Sequence, residues 1–184
     1  MFDAQRVAQG VRLILEGIGE QPDRDGLRET PARVMRMWRD LLTEDTTPLT
    51  AFDEHQYDEM IVVRNIRFES ICEHHLLPFV GTACIGYIPT SQVLGLSKLV
   101  RILDRCSHKL QVQERLTVEV ATALEVATQA RGVGVVLTAE HTCMTVRGVH
   151  RPGTVAVTSA LLRAFRSDAA TRAEFLALAR DGVR

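Results

Sequence analysis

Two short, widely separated fragments carry the same kind of chemistry, and any fold of this chain has to account for both. The first, Cys72-Glu73-His74-His75, sets a thiol, a carboxylate and two imidazoles in consecutive positions; the second, Glu140-His141-Thr142-Cys143-Met144, repeats the theme. Packing alone does not ask for this, because buried cores rarely accept titratable groups. Cys and His offered from two fragments suit a metal held where strands or turns meet. Residues two apart on a strand share a face, so an extended path projects His141 and Cys143 into one space. Around Cys72 two geometries stay open: a turn joins Cys72 to His75, and an extended path joins it to His74. Either way Cys, His and Cys converge and leave one tetrahedral position over, the catalytic rather than the structural pattern for zinc. The histidine left in each fragment is then free for proton transfer. The plain alternative is a pair of buried thiols with surface histidines. Cys84 and Cys106 lack histidine neighbours and read as packing residues.

The periodicity supplies a scaffold. Val7, Val11, Ile14 and Ile18 recur at helical spacing, and Asp23 to Gly26 breaks that helix. Thr30-Pro31 starts a second, with Thr30 as N-cap and Val34, Met37, Trp38 and Leu41 on its apolar face. A polar linker follows from Thr43 to Tyr57, so residues 1–58 read as an N-terminal helical region and 59–184 as the main domain. From Met60 the period becomes two, giving a long strand into the Cys-His cluster, a turn over Leu76 to Gly81, and a second strand over Thr82 to Ile88. Ser97 reads as the cap of a helix, Val112 to Ala130 as a longer helix ended by Gly132, and Val133 to His141 as a third strand. Thr154 to Thr158 makes a fourth, and Thr171 with Glu174 forms a capping box before a terminal helix. Two hairpins separated by a helical pair predict an α+β fold, a four-stranded antiparallel sheet with helices on one face. Its open edges are hazards unless paired, which predicts a homo-oligomer.

Lys and Arg number 22 against 23 Asp and Glu, a formal net charge of −1. That balance argues against a general nucleic-acid or membrane-surface binder. The first residues lack the apolar run of a signal peptide, and four Cys suit a reducing, cytoplasmic setting. Local basic groups remain. Ser97, Lys98 and Arg101 cluster at a predicted helix N-terminus, which favours anions, and Arg147 extends the basic wall beyond Cys143. Gln113-Glu114 offers a carboxylate for a guanine edge, although first-turn helix acids look the same.

These residues together resemble the GTP cyclohydrolase I family. The resemblance rests on Cys72-Glu73-His74-His75, Gly95-Leu96-Ser97-Lys98-Leu99, Gln111-Val112-Gln113-Glu114-Arg115-Leu116-Thr117 and His141-Thr142-Cys143-Met144 followed by Arg147-Gly148. It implies a tunnelling fold in which subunits join their sheets into five-membered rings, two of which stack as a decamer. It implies Cys72, His75 and Cys143 as zinc ligands, with His74, His141 and Ser97 catalytic. Gln113 and Glu114 would hold guanine, and Lys98, Arg101 and Arg147 the triphosphate and ribose, with Arg33 contributing from a neighbouring subunit. The implied reaction converts GTP and water to 7,8-dihydroneopterin triphosphate and formate. Two departures stand out: Ala164 precedes Phe165 where the family has Gly, and Ser107-His108-Lys109 replaces a more basic run.

Three rivals share parts of this pattern. A nitrile reductase of the same fold would need a nicotinamide site, of which there is no sign. A zinc nucleobase deaminase needs His-x-Glu and Pro-Cys-x-x-Cys, both absent. A zinc-stabilised binding module would keep the three ligands but has no use for His74, His141 or Glu114.

Overall fold

The computed structural model describes residues 2–43, 45–53 and 57–180. The chain divides into two compact units, Met1–Thr43 and Glu44–Arg184. In the first, helix α1 (Ala4–Gly17) is capped by Asp3, whose side chain accepts from the Arg6 N–H at 3.0 Å. Helix α2 (Thr30–Leu42) has Glu29, not Thr30, at its N-cap, and Pro31 still falls in the first turn, where its missing N–H is harmless. Arg12 grips Asp23 through two hydrogen bonds of 2.9 and 2.7 Å, tying α1 to the connection that follows it.

The second unit begins well before residue 58, because the supposed linker has partners. Strand β1 (Ala51–Asp53) pairs with β4 (Gln92–Leu94) in a separate two-stranded sheet. The main sheet contains β2 (Ile61–Cys72), β3 (Leu77–Ile88), β6 (Gly132–His141) and β7 (Val155–Arg163), all antiparallel. A fifth strand, β5 (Leu110–Gln111), adds in parallel beside Ile71 and Cys72, giving the order β5-β2-β3-β6-β7. Two residues are too few to display any period, which is why the sequence reads as four-stranded. The β2–β3 turn also lies earlier than expected. It spans Glu73 to Leu76, and Pro78 sits inside β3.

Alternation along the strands feeds two different covers. Ala83, Ile85, Tyr87, Val133, Val135 and Leu137 join Leu99, Ile102 and Leu103 of α3 (Leu96–Ser107) and Leu116, Val120 and Leu124 of α4 (Gln113–Thr128) in one core. Intervening residues face the other way. Cys84 packs with Phe165 of α6 (Ala164–Ser167) and Phe175 of α7 (Ala169–Arg180) in a second, smaller core. Helices therefore cover both faces, the terminal pair occupying the second. Gly134 makes that possible: a Cβ there would lie 2.6 Å from the Phe175 ring. The substitution of Ala164 before Phe165 is absorbed, since Phe165 stays fully buried against Gly132 and Gly134. At the start of α7, Asp168 accepts from the Thr171 N–H at 2.6 Å, the role expected of a Thr171–Glu174 box. Gln129, in the left-handed region at φ 49°, ends α4 ahead of Gly132. Ser97 lies inside α3, whose N-cap is Gly95. No helix among the described residues is long and apolar enough to cross a membrane.

Candidate active site

The first fragment folds as a turn. The His75 and Leu76 N–H groups both donate to the Cys72 carbonyl, at 3.3 and 2.9 Å, and Leu76 takes φ 55°. That curl brings His75 Nδ1 to 3.7 Å from Cys72 Sγ and turns His74 outward, with its ring edge-on to His75. Of the two geometries open in the sequence, the turn is the one adopted.

The second fragment does not continue as a strand. β6 stops at His141 and a single helical turn, α5 (Thr142–Thr145), follows, anchored by the Thr142 hydroxyl on the Pro78 carbonyl at 2.5 Å. His141 and Cys143 therefore do not share a strand face; the helical turn carries the Cys143 sulfur to the β2–β3 turn. Donor atoms of Cys72, His75 and Cys143 all lie within 4.8 Å of one another. Two thiolates and an imidazole around tetrahedral zinc would place sulfur and nitrogen about 3.6 Å apart, so the 3.7 Å separation of Cys72 and His75 fits the ion. Burial and the neighbouring Cys72 sulfur push the Cys143 thiol up, and two sulfurs this close become thiolates readily only around a cation.

His141 is held on two sides. Its ring stacks on Phe79 with centroids 4.6 Å apart and planes 4° from parallel, and its Nε2 meets Gln113 Oε1 at 2.8 Å. An amide oxygen only accepts, so Nε2 carries the proton and Nδ1 is the acceptor of the neutral ring. Burial pushes the His141 pKa below its usual value, with Glu114 pulling the other way. Gln113 is 2% exposed, and its NH2 is shared among the Leu137 carbonyl, the Ala156 carbonyl and the Thr158 hydroxyl. Its side chain thus also stands behind His141.

The remaining expected residues fall into three places. Arg147 lies beside the Cys-His group, its Nη1 2.9 Å from His75 Nε2, and Glu114, exposed in the first turn of α4, is near enough to His141 to act on its charge. Ser97, Lys98 and Arg101 follow one another along the first turns of α3. Two of these three are engaged: Lys98 donates to the Pro48 carbonyl at 3.2 Å, and Arg101 pairs with Asp45 at 2.8 Å. Arg105 adds a bond to the Asp45 carbonyl at 2.6 Å, so residues 45–48 form a strap along this cationic row. Hydrogen bonds from Thr47, then the Arg101 guanidinium, hold the Asp45 carboxyl down at about 2. Arg33 is exposed on α2, in the first unit.

Residues 7–180 match the GTP cyclohydrolase I family. The chain is 52% identical to GTP cyclohydrolase 1 of Aquifex aeolicus, over 96% of this chain and 97% of that one. The Sulfurihydrogenibium enzyme of the same name is 50% identical over 97% and 96%. The Hydrogenobaculum one is 49% identical over 98% and 100%. This chain belongs to the GTP cyclohydrolase I family. Its sheet is accordingly a tunnelling-fold sheet. Three of the four motif runs that carry the resemblance in the sequence meet in space: the Cys72–His75 turn, the first turn of α4 and the β6–α5 junction. Three contributors had escaped sequence reading. Phe79 looks like any core aromatic, Asp45 sits in a polar stretch, and the pairing of Glu73 with Arg115 joins residues far apart in the chain.

Proposed function

We propose that this GTP cyclohydrolase family member hydrolyses GTP to 7,8-dihydroneopterin triphosphate and formate, at the entry to tetrahydrofolate and pterin synthesis. The observation that carries the reading is the convergence of Cys72, His75 and Cys143 in a three-donor group. A structural zinc centre would close with four ligands, whereas three leave room for solvent. Zinc held there would supply Lewis acidity and lower the pKa of a bound water toward about 7.

The chain's own residues do the rest. Glu114 accepts from the guanine edge. His74, exposed beside His75, gives a proton to the ring nitrogen as the imidazole portion of guanine opens. His141, with Nε2–H fixed by Gln113, exchanges a proton at Nδ1 during ribose opening, rearrangement and closure of the six-membered ring, with Ser97 assisting. Lys98, Arg101 and Arg147 meet the triphosphate and ribose, Arg101 by exchanging the Asp45 carboxylate for phosphate oxygens. Arg33 contributes from a second copy of the chain. Among the described residues β7 pairs on one side only, and β2 is met on its outer side at Ile71 and Cys72 alone, so sheet edges are available for a ring of subunits and a decamer of two rings. Four free thiols suit the cytoplasm.

Incubating the purified protein with GTP and following formate and pterin absorbance tests the reading. Both should accumulate in step with bound zinc. His141→Ala should release formate without completing the pterin, and His74→Ala should release neither. Persistence of GTP with a fully zinc-loaded protein would reject the assignment.

A further inference from the structure

We propose that Arg115 is a positioning residue for the Cys72–His75 turn, and that the first turn of α4 thereby sets the spacing between that turn and His141. The proposal rests on the reading of Cys72, His75 and Cys143 as metal ligands.

Glu73 lies between two of those ligands in the chain. Its backbone N–H donates to the Gln111 carbonyl at 3.0 Å, and its carboxylate pairs with Arg115 Nη2. The guanidinium is itself fixed from other directions. Arg115 Nε donates to Gln111 Oε1 at 2.8 Å and Nη2 to the Leu110 carbonyl at 2.9 Å. Gln111 is fully buried, and its NH2 is held by the Cys106 carbonyl at 2.9 Å and Glu119 at 2.6 Å. Lys109 closes the set on Glu119 at 2.9 Å. A planar fork with several addressed donors transmits position in a way a flexible ammonium cannot.

The side chains of Arg115 and Glu73 are 42% and 33% exposed, and ion pairs so exposed add little to global stability. The consequence of the pair is local. Leu76, directly after His75, sits in the left-handed region, which a residue with a Cβ adopts only where its surroundings hold it. Arg115 supplies that hold from one side of the turn. Gln113, two positions earlier, fixes His141 at 2.8 Å. Residues i and i+2 on a helix point in different directions, so one helical turn grips the two halves of the site at once.

The test uses the full chain stripped of metal. Zinc affinity is measured by competition with a chelator, and Co(II) loading by its thiolate charge-transfer and ligand-field bands. Arg115→Ala should weaken zinc about 10- to 100-fold, the usual effect of removing a partner behind a metal ligand, and should distort the Co(II) bands. Its far-UV circular dichroism and melting temperature should stay close to the parent's. Arg115→Lys should recover only part of the affinity. Glu73→Gln should reproduce most of the Arg115→Ala loss, and the double variant should add little, because both break one contact. At saturating zinc kcat should fall while KM holds. Glu73→Gln, nearly isosteric, decides the matter if Arg115→Ala does not fold. Tight metal binding by the parent with variants within twofold of it overturns the positioning role and leaves the metal reading intact. A parent that takes up no metal overturns both.

Discussion

The β3–β6 pair is finished in opposite ways at its two ends. At one end Phe79 and His141 are register partners; at the other, Gly86 and Gly134 are. The glycine end solves a problem of shape: Phe165 and Phe175 meet edge to face at 5.0 Å, and the missing side chains leave room for their rings. Close packing of the two rings against the bare sheet sets the geometry there. The imidazole end solves a problem of hydrogen bonding. A half-buried ring that must keep one proton in one place needs an acceptor of fixed identity, and Gln113 is fixed in turn by two carbonyls and a hydroxyl. Packing stabilises one end, while commitments among polar groups specify the other.

Substitutions at the two ends should therefore fail differently. The largest effect is expected at the metal group: Cys143→Ala should lower formate release by about a thousandfold or more, equivalent to several kcal/mol, with zinc content falling in parallel. Phe175→Ala should cost about 3–5 kcal/mol of stability, read by chemical denaturation, while the enzyme that remains folded keeps its zinc. Gly134→Ala should cost about 1–3 kcal/mol by overpacking the same rings, since the added Cβ would fall 2.6 Å from Phe175. If Phe175→Ala reduced zinc binding as much as Cys143→Ala does, the separation of the two ends would be wrong.

The smallest effects concern the strap over α3. Asp45→Asn should improve triphosphate affinity a few-fold, measured with GTP or with inorganic tripolyphosphate, because Arg101 loses its internal competitor. The same variant sharpens the acid limb of stability. The folded carboxyl is held at about 2, below the ordinary value of 3.8. Its stabilising contribution is therefore complete above pH 3.8 and fades as pH falls through about 2. Parent and variant melting curves compared at pH 7 and pH 2 should converge at the lower value. A constant gap across that range would remove Asp45 from the account.

Much of this was legible in the sequence, for identifiable reasons. The long strands announced themselves because both faces of β2 and β3 are patterned, and the candidate metal donors stood out because Cys and His at those spacings have few other uses, the choice between His74 and His75 coming only from the family resemblance. The turn at Cys72 stayed ambiguous, since nothing in four residues distinguishes a curl from an extended path until the Cys72 carbonyl finds two N–H donors. Cys143 was placed on a strand because Val133 to Ala139 alternate so regularly; the chain instead coils at Thr142, tethered to Pro78 on a different strand. Gln113 reads as a base contact because amides recognise bases well, and its bond to His141 joins residues too far apart in the chain to be read from sequence. The second helical cover went unseen because Cys84, Gly86 and Gly134 are small and give no apolar signal opposite Tyr87 and Val133. Arg101 and Lys98 read as free cations because their partners lie in a polar stretch with no periodicity.

One hydroxyl relay has a consequence of its own. Thr117 donates to the Gln113 carbonyl at 2.7 Å and touches the Thr158 hydroxyl at 2.6 Å, and Thr158 and Ala156 both belong to the outermost strand. The tautomer of His141 is thus written by the rim of the sheet. Sliding that rim by a single residue would swap which side chains point at the amide and so erase the instruction.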